Sequence, residues 1–223
     1  MFKRKLIIGK YDTDFDGLWT LSGLGLTDPD YQAKFVDVPG RNGPLDMSTA
    51  LTDGEPCYGS RTLTATLESS EGTRDDRNDR IGEMMNALDG RRLEIIHPDF
   101  PNHYLSGRVQ IKQNYSDPAH AAVTVTAICD PWLYSRAVRS YSLTATTTKQ
   151  TIALANNGRR TVVPEIVVTG SGASILFDYG TGSTALGEGS WLLPGLALKT
   201  GGRVLTYSGS GSAKITYREA VLR

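Results

Sequence analysis

Ile128-Cys129-Asp130-Pro131-Trp132-Leu133-Tyr134 closes the first half of this chain. Just upstream, Val123, Val125 and Ala127 alternate with Ala122, Thr124 and Thr126. A period of two gives a strand one buried face and one wetter face. Pro131 has no N–H for a sheet ladder and pushes Asp130 toward an extended conformation, so the strand is expected to stop there. Trp132 and Tyr134 follow at the strand end, where large rings can plug the edge of a core. From Ser140 onward Thr, Ser, Gly and Val dominate and helix signals vanish. The expected organisation is one domain over residues 1–137 and a second over 138–223, joined between 134 and 145.

Working back toward the N-terminus, one segment has helical spacing. Ile81, Met84, Met85 and Leu88 form an i, i+3, i+4, i+7 stripe between Thr73 and Gly90. Thr73 suits the N-cap, with Asp75 and Asp76 near the positive end of the helix dipole. Gly90 suits the left-handed residue after the last turn, with Arg91 and Arg92 near the negative end. A single stripe predicts a helix over about 73–90 lying against a sheet. The Met pair reads as part of that core face rather than as a sticky partner groove. Leu63–Leu67, Leu93–Ile96 and Tyr104–Ile111 read as strands, the last two flanking a Pro- and His-containing hairpin loop.

Working forward, Gln150–Leu154, Val162–Thr169, Ser174–Tyr179, Ser190–Leu193, Arg203–Tyr207 and Ala213–Arg218 read as short strands spaced by Gly-rich turns, which predicts a β-sandwich. Eleven glycines fall between Gly170 and Gly211, but Ile175, Phe177, Trp191, Leu196 and Leu205 are interleaved with them. That mixture predicts tight turns in a folded sheet rather than a linker. Trp191 is expected to fill the sandwich core.

Composition narrows the function classes. Lys plus Arg and Asp plus Glu are both 24, so there is no net basic field for nucleic acid and no polybasic membrane signal. Residues 1–139 hold 16 basic and 20 acidic side chains, and residues 140–223 hold 8 and 4. Such a mild split is common by chance. Met1–Lys10 has a charged front but only three apolar residues behind it, too few for a signal peptide, and no stretch reaches the length of a membrane span. A cytoplasmic origin is expected. There, Cys57 and Cys129 read as small hydrophobes rather than a disulfide.

Four segments in order carry a family resemblance. They are Asp37-Val38-Pro39-Gly40-Arg41-Asn42-Gly43-Pro44-Leu45-Asp46, then Tyr58-Gly59-Ser60-Arg61-Thr62-Leu63, then Ile95-Ile96-His97-Pro98-Asp99-Phe100-Pro101 with Tyr104-Leu105-Ser106-Gly107-Arg108-Val109, and last the Cys129-Asp130-Pro131-Trp132 strand end. Over roughly residues 30–134 the chain resembles the distal tail proteins of long, flexible-tailed bacteriophages. In that family a Val-Pro-Gly-Arg-x-Gly turn, a short helix, an Asp-x-x-Pro-x-x-Tyr hairpin and a Cys-x-Pro-aromatic strand follow one another. In the second half, Asn156-Asn157-Gly158 with Val163-Pro164-Glu165-Ile166 looks like the opening of the family's galectin-like sandwich. Leu193-Pro194-Gly195 and Ile215-Thr216-Tyr217-Arg218-Glu219 look like its last hairpin. The family usually has an Asn soon after that Pro-Gly, where this chain has Leu196, Ala197 and Leu198. The resemblance implies a mainly β protein, with an N-terminal split-barrel-like domain carrying one helix and a C-terminal galectin-like β-sandwich.

Chemistry-bearing patterns are thin. Asp12-Thr13-Asp14-Phe15-Asp16-Gly17 begins like a calcium loop, but position twelve is Gly23 instead of a bidentate acid, so it reads as a solvated acidic turn. His97, Asp99 and His103 share one hairpin, without the close ligand spacing of a zinc knuckle. No nucleophile elbow, dinucleotide fingerprint or phosphate-binding loop occurs. A glycosidase needs an acid in an apolar pocket, and alternation places Glu94, Glu165 and Glu219 on solvent faces. No enzyme, metal or cofactor is expected.

The resemblance therefore implies a structural virion protein: a hexameric ring at the tail tip joining the tail tube to the baseplate or host-adsorption apparatus. Its partners would be further copies of itself, the tail tube protein, the tape measure protein and tail-associated baseplate proteins. DNA would transit a central channel without specific binding, which a neutral chain suits. The expected ring contact is the turn bearing Val38, Arg41 and Leu45, where Pro and Gly fix an element that carries apolar residues outward. The alternative is a carbohydrate-binding sandwich recognising host cell-wall glycan, with Trp191, Tyr179 and Tyr207 as a stacking platform.

Overall fold

A computed structural model describes residues 5–12, 19–52, 54–70, 72–114 and 120–223. The chain divides into two compact units, Met1–Pro131 and Trp132–Arg223.

The first unit is mainly β. Its strands are β1 (Ile7–Ile8), β2 (Tyr11–Asp12), β3 (Thr20–Leu26), β4 (Phe35–Val36), β5 (Leu45–Asp46), β6 (Arg61–Ser69), β7 (Arg92–Ile96), β8 (His103–Asn114) and β9 (Ala121–Cys129), with helix α1 (Arg74–Leu88) between β6 and β7. Seven of them form an antiparallel sheet in the order β2-β1-β7-β8-β9-β6-β3, curled as a half-barrel. Register follows the alternation. Leu63, Ala65 and Leu67 of β6 lie opposite Ala127, Val125 and Val123 of β9, and all six are buried. Thr64 and Thr66 face outward beside Thr126 and Thr124. A one-residue slip would put that whole apolar set in water, which is why the pairing is well specified.

Helix α1 covers the inner face with Ile81 and Leu88, while Met84 and Met85 stay half-buried. Its start is a capping box. Thr73 Oγ1 accepts from the Asp76 N–H at 3.2 Å, and the Asp76 carboxylate accepts from the Thr73 N–H at 2.8 Å. The hydrogen bonds from the Thr73 hydroxyl and backbone hold the Asp76 carboxyl below its ordinary range. Gly90 sits at φ 70°, and the Ile111 N–H donates to Asp89 Oδ1 at 2.7 Å, tying the helix end to β8.

The second unit contains β10 (Leu133–Ser135), β11 (Arg139–Ala145), β12 (Gln150–Leu154), β13 (Glu165–Asp178), β14 (Ser183–Gly187), β15 (Gly189–Leu192), β16 (Arg203–Tyr217) and β17 (Ala220–Val221). β10 pairs with β17 through Leu133↔Val221 and Tyr134↔Ala220. That pairing draws residues 132–137 to the end of the chain, so the units divide at 131/132 rather than at the expected 137/138.

Two long strands replace four expected short ones. β13 runs through Gly170–Ala173, and β16 through Ser208–Gly211. Their pairing shifts register between Thr169↔Ser212 and Ser174↔Ser210, so four residues of β13 stand against Gly211 alone. On one side of this corner lie β11, the second half of β16, the first half of β13 and β15; on the other lie β12, the first half of β16, the second half of β13 and β14. Ile166 and Val168 from one layer join Ile175, Phe177 and Leu205 from the other in a single core. The β-sandwich is thus one folded-over sheet.

The Asn156-Asn157-Gly158 motif ties this sandwich shut. Asn156 is fully buried, and its amide donates to Arg160 O at 3.0 Å and Leu198 O at 2.8 Å while its Oδ1 accepts from the Gly158 N–H at 3.0 Å. Three backbone groups that would otherwise be buried unpaired are satisfied by one side chain. Nearby, Tyr217 stacks on Tyr141 and its hydroxyl donates to Ala155 O. Burial, then its contact with Tyr141, pushes the phenol up, so it stays a donor.

Candidate functional site

Between β3 and β6 the chain leaves the sheet as an arm. Its base is closed by an antiparallel bridge between Tyr31 and Tyr58, whose rings meet edge-on at 6.0 Å. Gln32 N–H donates to Cys57 O at 2.9 Å, and Gly59 N–H to Asp30 O at 2.8 Å. Beyond this base, β4 and β5 pair with each other as a separate two-stranded ribbon, Phe35↔Asp46 and Val36↔Leu45.

The tip of the ribbon is fixed by local chemistry. Arg41 N–H donates to Val38 O at 3.2 Å, closing a turn with Pro39 at its second position and Gly40 at its third. Proline presets φ at the second position, and Gly40 supplies the positive φ of 83° needed at the third. The ribbon's flank is tied by Ser48. Lys34 N–H donates to Ser48 Oγ at 2.8 Å, Met47 N–H to Lys34 O at 2.8 Å, and Ser48 N–H to Asp46 Oδ1 at 2.9 Å. The Ser48 hydroxyl, with its N–H, holds the Asp46 carboxyl below the usual range.

A pre-shaped arm this polar in its backbone is apolar in what it shows. Phe35 is 60% exposed and Leu51 97%, and Tyr31, Val36, Val38 and Met47 are exposed too. Six of the thirteen exposed large hydrophobics among the described residues lie within residues 31–51, which marks a patch rather than scatter. The structure places Val38, Arg41 and Leu45 together on this arm: Val38 and Arg41 share the turn, both exposed, and Leu45 sits half-buried opposite Val36. Phe35 and Val36 were not singled out by sequence reasoning. Their signal was apolar side chains at 31, 35, 36 and 38, a spacing that no helix or strand face can bury.

The other expected sites separate. Asp12 pairs with Lys5 at 3.4 Å, and the remainder of the acidic turn to Gly17 lies outside the described residues. His97 is buried, with Nδ1 accepting from the Asp99 N–H at 3.1 Å and its ring tilted against Phe100. Among the described residues no three His, Cys, Asp or Glu side chains converge. Cys57 and Cys129 are free, and burial pushes the Cys129 thiol up to about 11, where it is inert near neutrality. Glu94 and Glu165 are exposed as expected, whereas Glu219 is half-buried, paired with Arg139 at 3.3 Å and accepting from the Asn157 N–H.

Trp191 departs from expectation. It is 40% exposed on β15 instead of filling the core, and its indole N–H donates to Gly187 O at 2.9 Å. Alternation points it the same way as its partner Ile166, but β15 pairs with β13 alone, so no further strand covers it. Tyr179 and Tyr207 pack against the core in the other layer, so the three rings do not form one platform.

No known family profile matches the sequence, and no curated protein matches it. The fold does have a counterpart. It is similar to the crystal structure of the SPP1 Dit (gp 19.1) protein, described as a paradigm of the hub adsorption apparatus in phages infecting Gram-positive bacteria, with a TM-score of 0.63 and 16% identity over 97% of this chain and 98% of that one. The distal-tail resemblance read from four sequence segments is therefore met by a shared fold along almost the whole chain.

Proposed function

We propose that this protein is a structural component of a phage tail tip, a hub that closes into a hexameric ring between the tail tube and the host-adsorption apparatus. The observation that carries this reading is the end-to-end fold match to a hub adsorption protein, which leaves no unmatched domain to hold a different activity. The uncovered apolar arm supports it. A head-to-tail ring needs each copy to offer a protruding contact that its own fold does not bury. Tail tube, tape measure and baseplate proteins are the partners of such a hub, and the virion tail is its location. Zero net charge suits a channel through which DNA passes without being gripped.

The arm turn is the proposed ring contact, through Val38, Arg41 and Leu45. Light scattering on purified protein is expected to give a hexamer, seen as a ring by negative-stain imaging. Arg41→Asp with Leu45→Ser should lower the mass while leaving circular dichroism unchanged. An unchanged oligomer would remove the arm turn from the contact. The hub is non-enzymatic, so the protein should leave purified host cell wall intact; release of soluble wall fragments would overturn that.

The exposed Trp191 favours one second reading, a carbohydrate-binding role for the sandwich. An indole face at the sheet edge can stack on a sugar ring. Binding to a host-wall glycan array that is lost in Trp191→Ala would support it, and absence of binding by the wild type would dismiss it.

A further inference from the structure

We infer that the arm of one copy seats in a groove beside helix α1 of the next copy, an inference that rests on the self-assembly proposed above. The groove, of about 980 Å³, lies in the first unit between α1 and the β1–β2–β7 end of the sheet. Its floor is apolar, with buried Ile8, Trp19, Leu67 and Leu88, and its walls present half-buried Met84 and Leu93. The two features sit toward opposite edges of the sheet. The arm leaves between β3 and β6, at one end of the strand order, whereas β2, β1 and β7 form the other end. A contact joining opposite edges is heterologous, the type whose repetition closes a ring.

Charge complements shape. The groove rim carries Lys10, Arg80 and Arg91 with Glu83 and Glu94. Arg80 Nη1 is buried and has no acceptor among the described residues, which an incoming carboxylate or carbonyl would supply. The arm brings Asp37 and Asp46 beside Phe35, Val36 and Val38, with Lys34 and Arg41 for the rim's two glutamates. Apolar side chains enter an apolar trough while both signs of charge meet opposites at its edge, which fixes register as well as attraction.

Cross-linking in trans tests this. In a Cys57→Ser background, one protein carries Val36→Cys and another Met84→Cys; Cys129 is buried with its thiol pushed up and stays silent. A short bis-maleimide should join the mixed pair into a covalent dimer, and a chain carrying both cysteines should give a ladder of multimers. Arg80→Glu, on the helix surface, should raise the concentration needed for half-assembly at least tenfold with circular dichroism unchanged, as should Phe35→Asp. If light scattering shows the oligomer but the mixed pair does not cross-link and Arg80→Glu assembles normally, the groove is covered by something else; the inference falls while the hub reading stands. A wild type that is monomeric at every concentration sinks both.

Discussion

The arm turn at Pro39–Pro44 and the sandwich corner at 170–173 and 208–211 are both built on glycine, yet a side chain added to each would meet different surroundings. A Cβ on Gly40 would meet no atom within 4 Å. A Cβ on Gly209 would lie 2.1 Å from Ser174 O, and one on Gly211 would lie 2.6 Å from the Ala173 Cβ. At the arm, glycine is needed only for the backbone angle, and the turn stands in open space. At the corner, two backbones approach so closely that no side chain fits between them. One glycine-rich segment presents a surface and the other closes a core. Composition alone treats them alike.

The largest effect expected from this contrast is at the corner. Gly209→Ala places a methyl group against Ser174 O at a φ of 136°, which L side chains rarely adopt. With both a clash and backbone strain, the cost should be roughly 3–5 kcal/mol. Thermal unfolding followed by circular dichroism should show the second unit melting well below the wild type. A melting temperature within error of the wild type would mean the corner can relax, and the contrast with the arm would collapse.

A smaller effect is expected where close approach occurs without unusual backbone. Gly107 in β8 lies opposite Cys129 in β9, and its added Cβ would stand 2.4 Å from Cys129 Sγ and 3.0 Å from Ile128 O. Gly107→Ala should destabilise the first unit by about 2–3 kcal/mol, the range of overpacked cores. Adding Cys129→Ala removes the sulfur and should restore part of that loss, leaving the backbone contact as the residue. Denaturant titration of the two singles and the double separates these terms. Full additivity, with no recovery in the double, would show that the sulfur is not what makes Gly107 necessary.

This division between local and non-local causes also decides what could be read from the chain. The Pro39–Gly40 turn, the capping box at Thr73 and the alternation of β6 and β9 depend on neighbours within a few residues, and each was legible. The corner was not. Gly170 and Gly209 look like turn residues, so β13 and β16 were each read as two strands, whereas the backbone bends there and continues. Trp191 failed for a related reason. A period of two says which way a side chain points, and only the sheet order says whether another strand covers it. Phe35 and Val36 were overlooked because they sit in a two-residue strand too short to show a period. The family resemblance survived these errors because it rested on turns in sequence order, which are local.

The smallest effect on stability is expected at the arm, and it is the one that separates the two kinds of glycine most sharply. Gly40→Ala keeps open space around the new methyl but holds an L residue at φ 83°, a local cost of about 1–2 kcal/mol. The ribbon of β4 and β5 pairs only with itself, so that cost can be met by fraying of the arm without loosening the sheet. The cooperative melting of both units should therefore change little. Assembly should respond instead, because a turn that no longer holds Val38 and Arg41 in place must be ordered again at each contact. A loss of 1.4 kcal/mol there is a tenfold weaker association, read as a tenfold higher concentration for half-assembly in light scattering. Gly40→Ala that assembles like the wild type would make the arm turn an ordinary surface hairpin, and one that melts as early as Gly209→Ala would show that the arm is packed against the core after all.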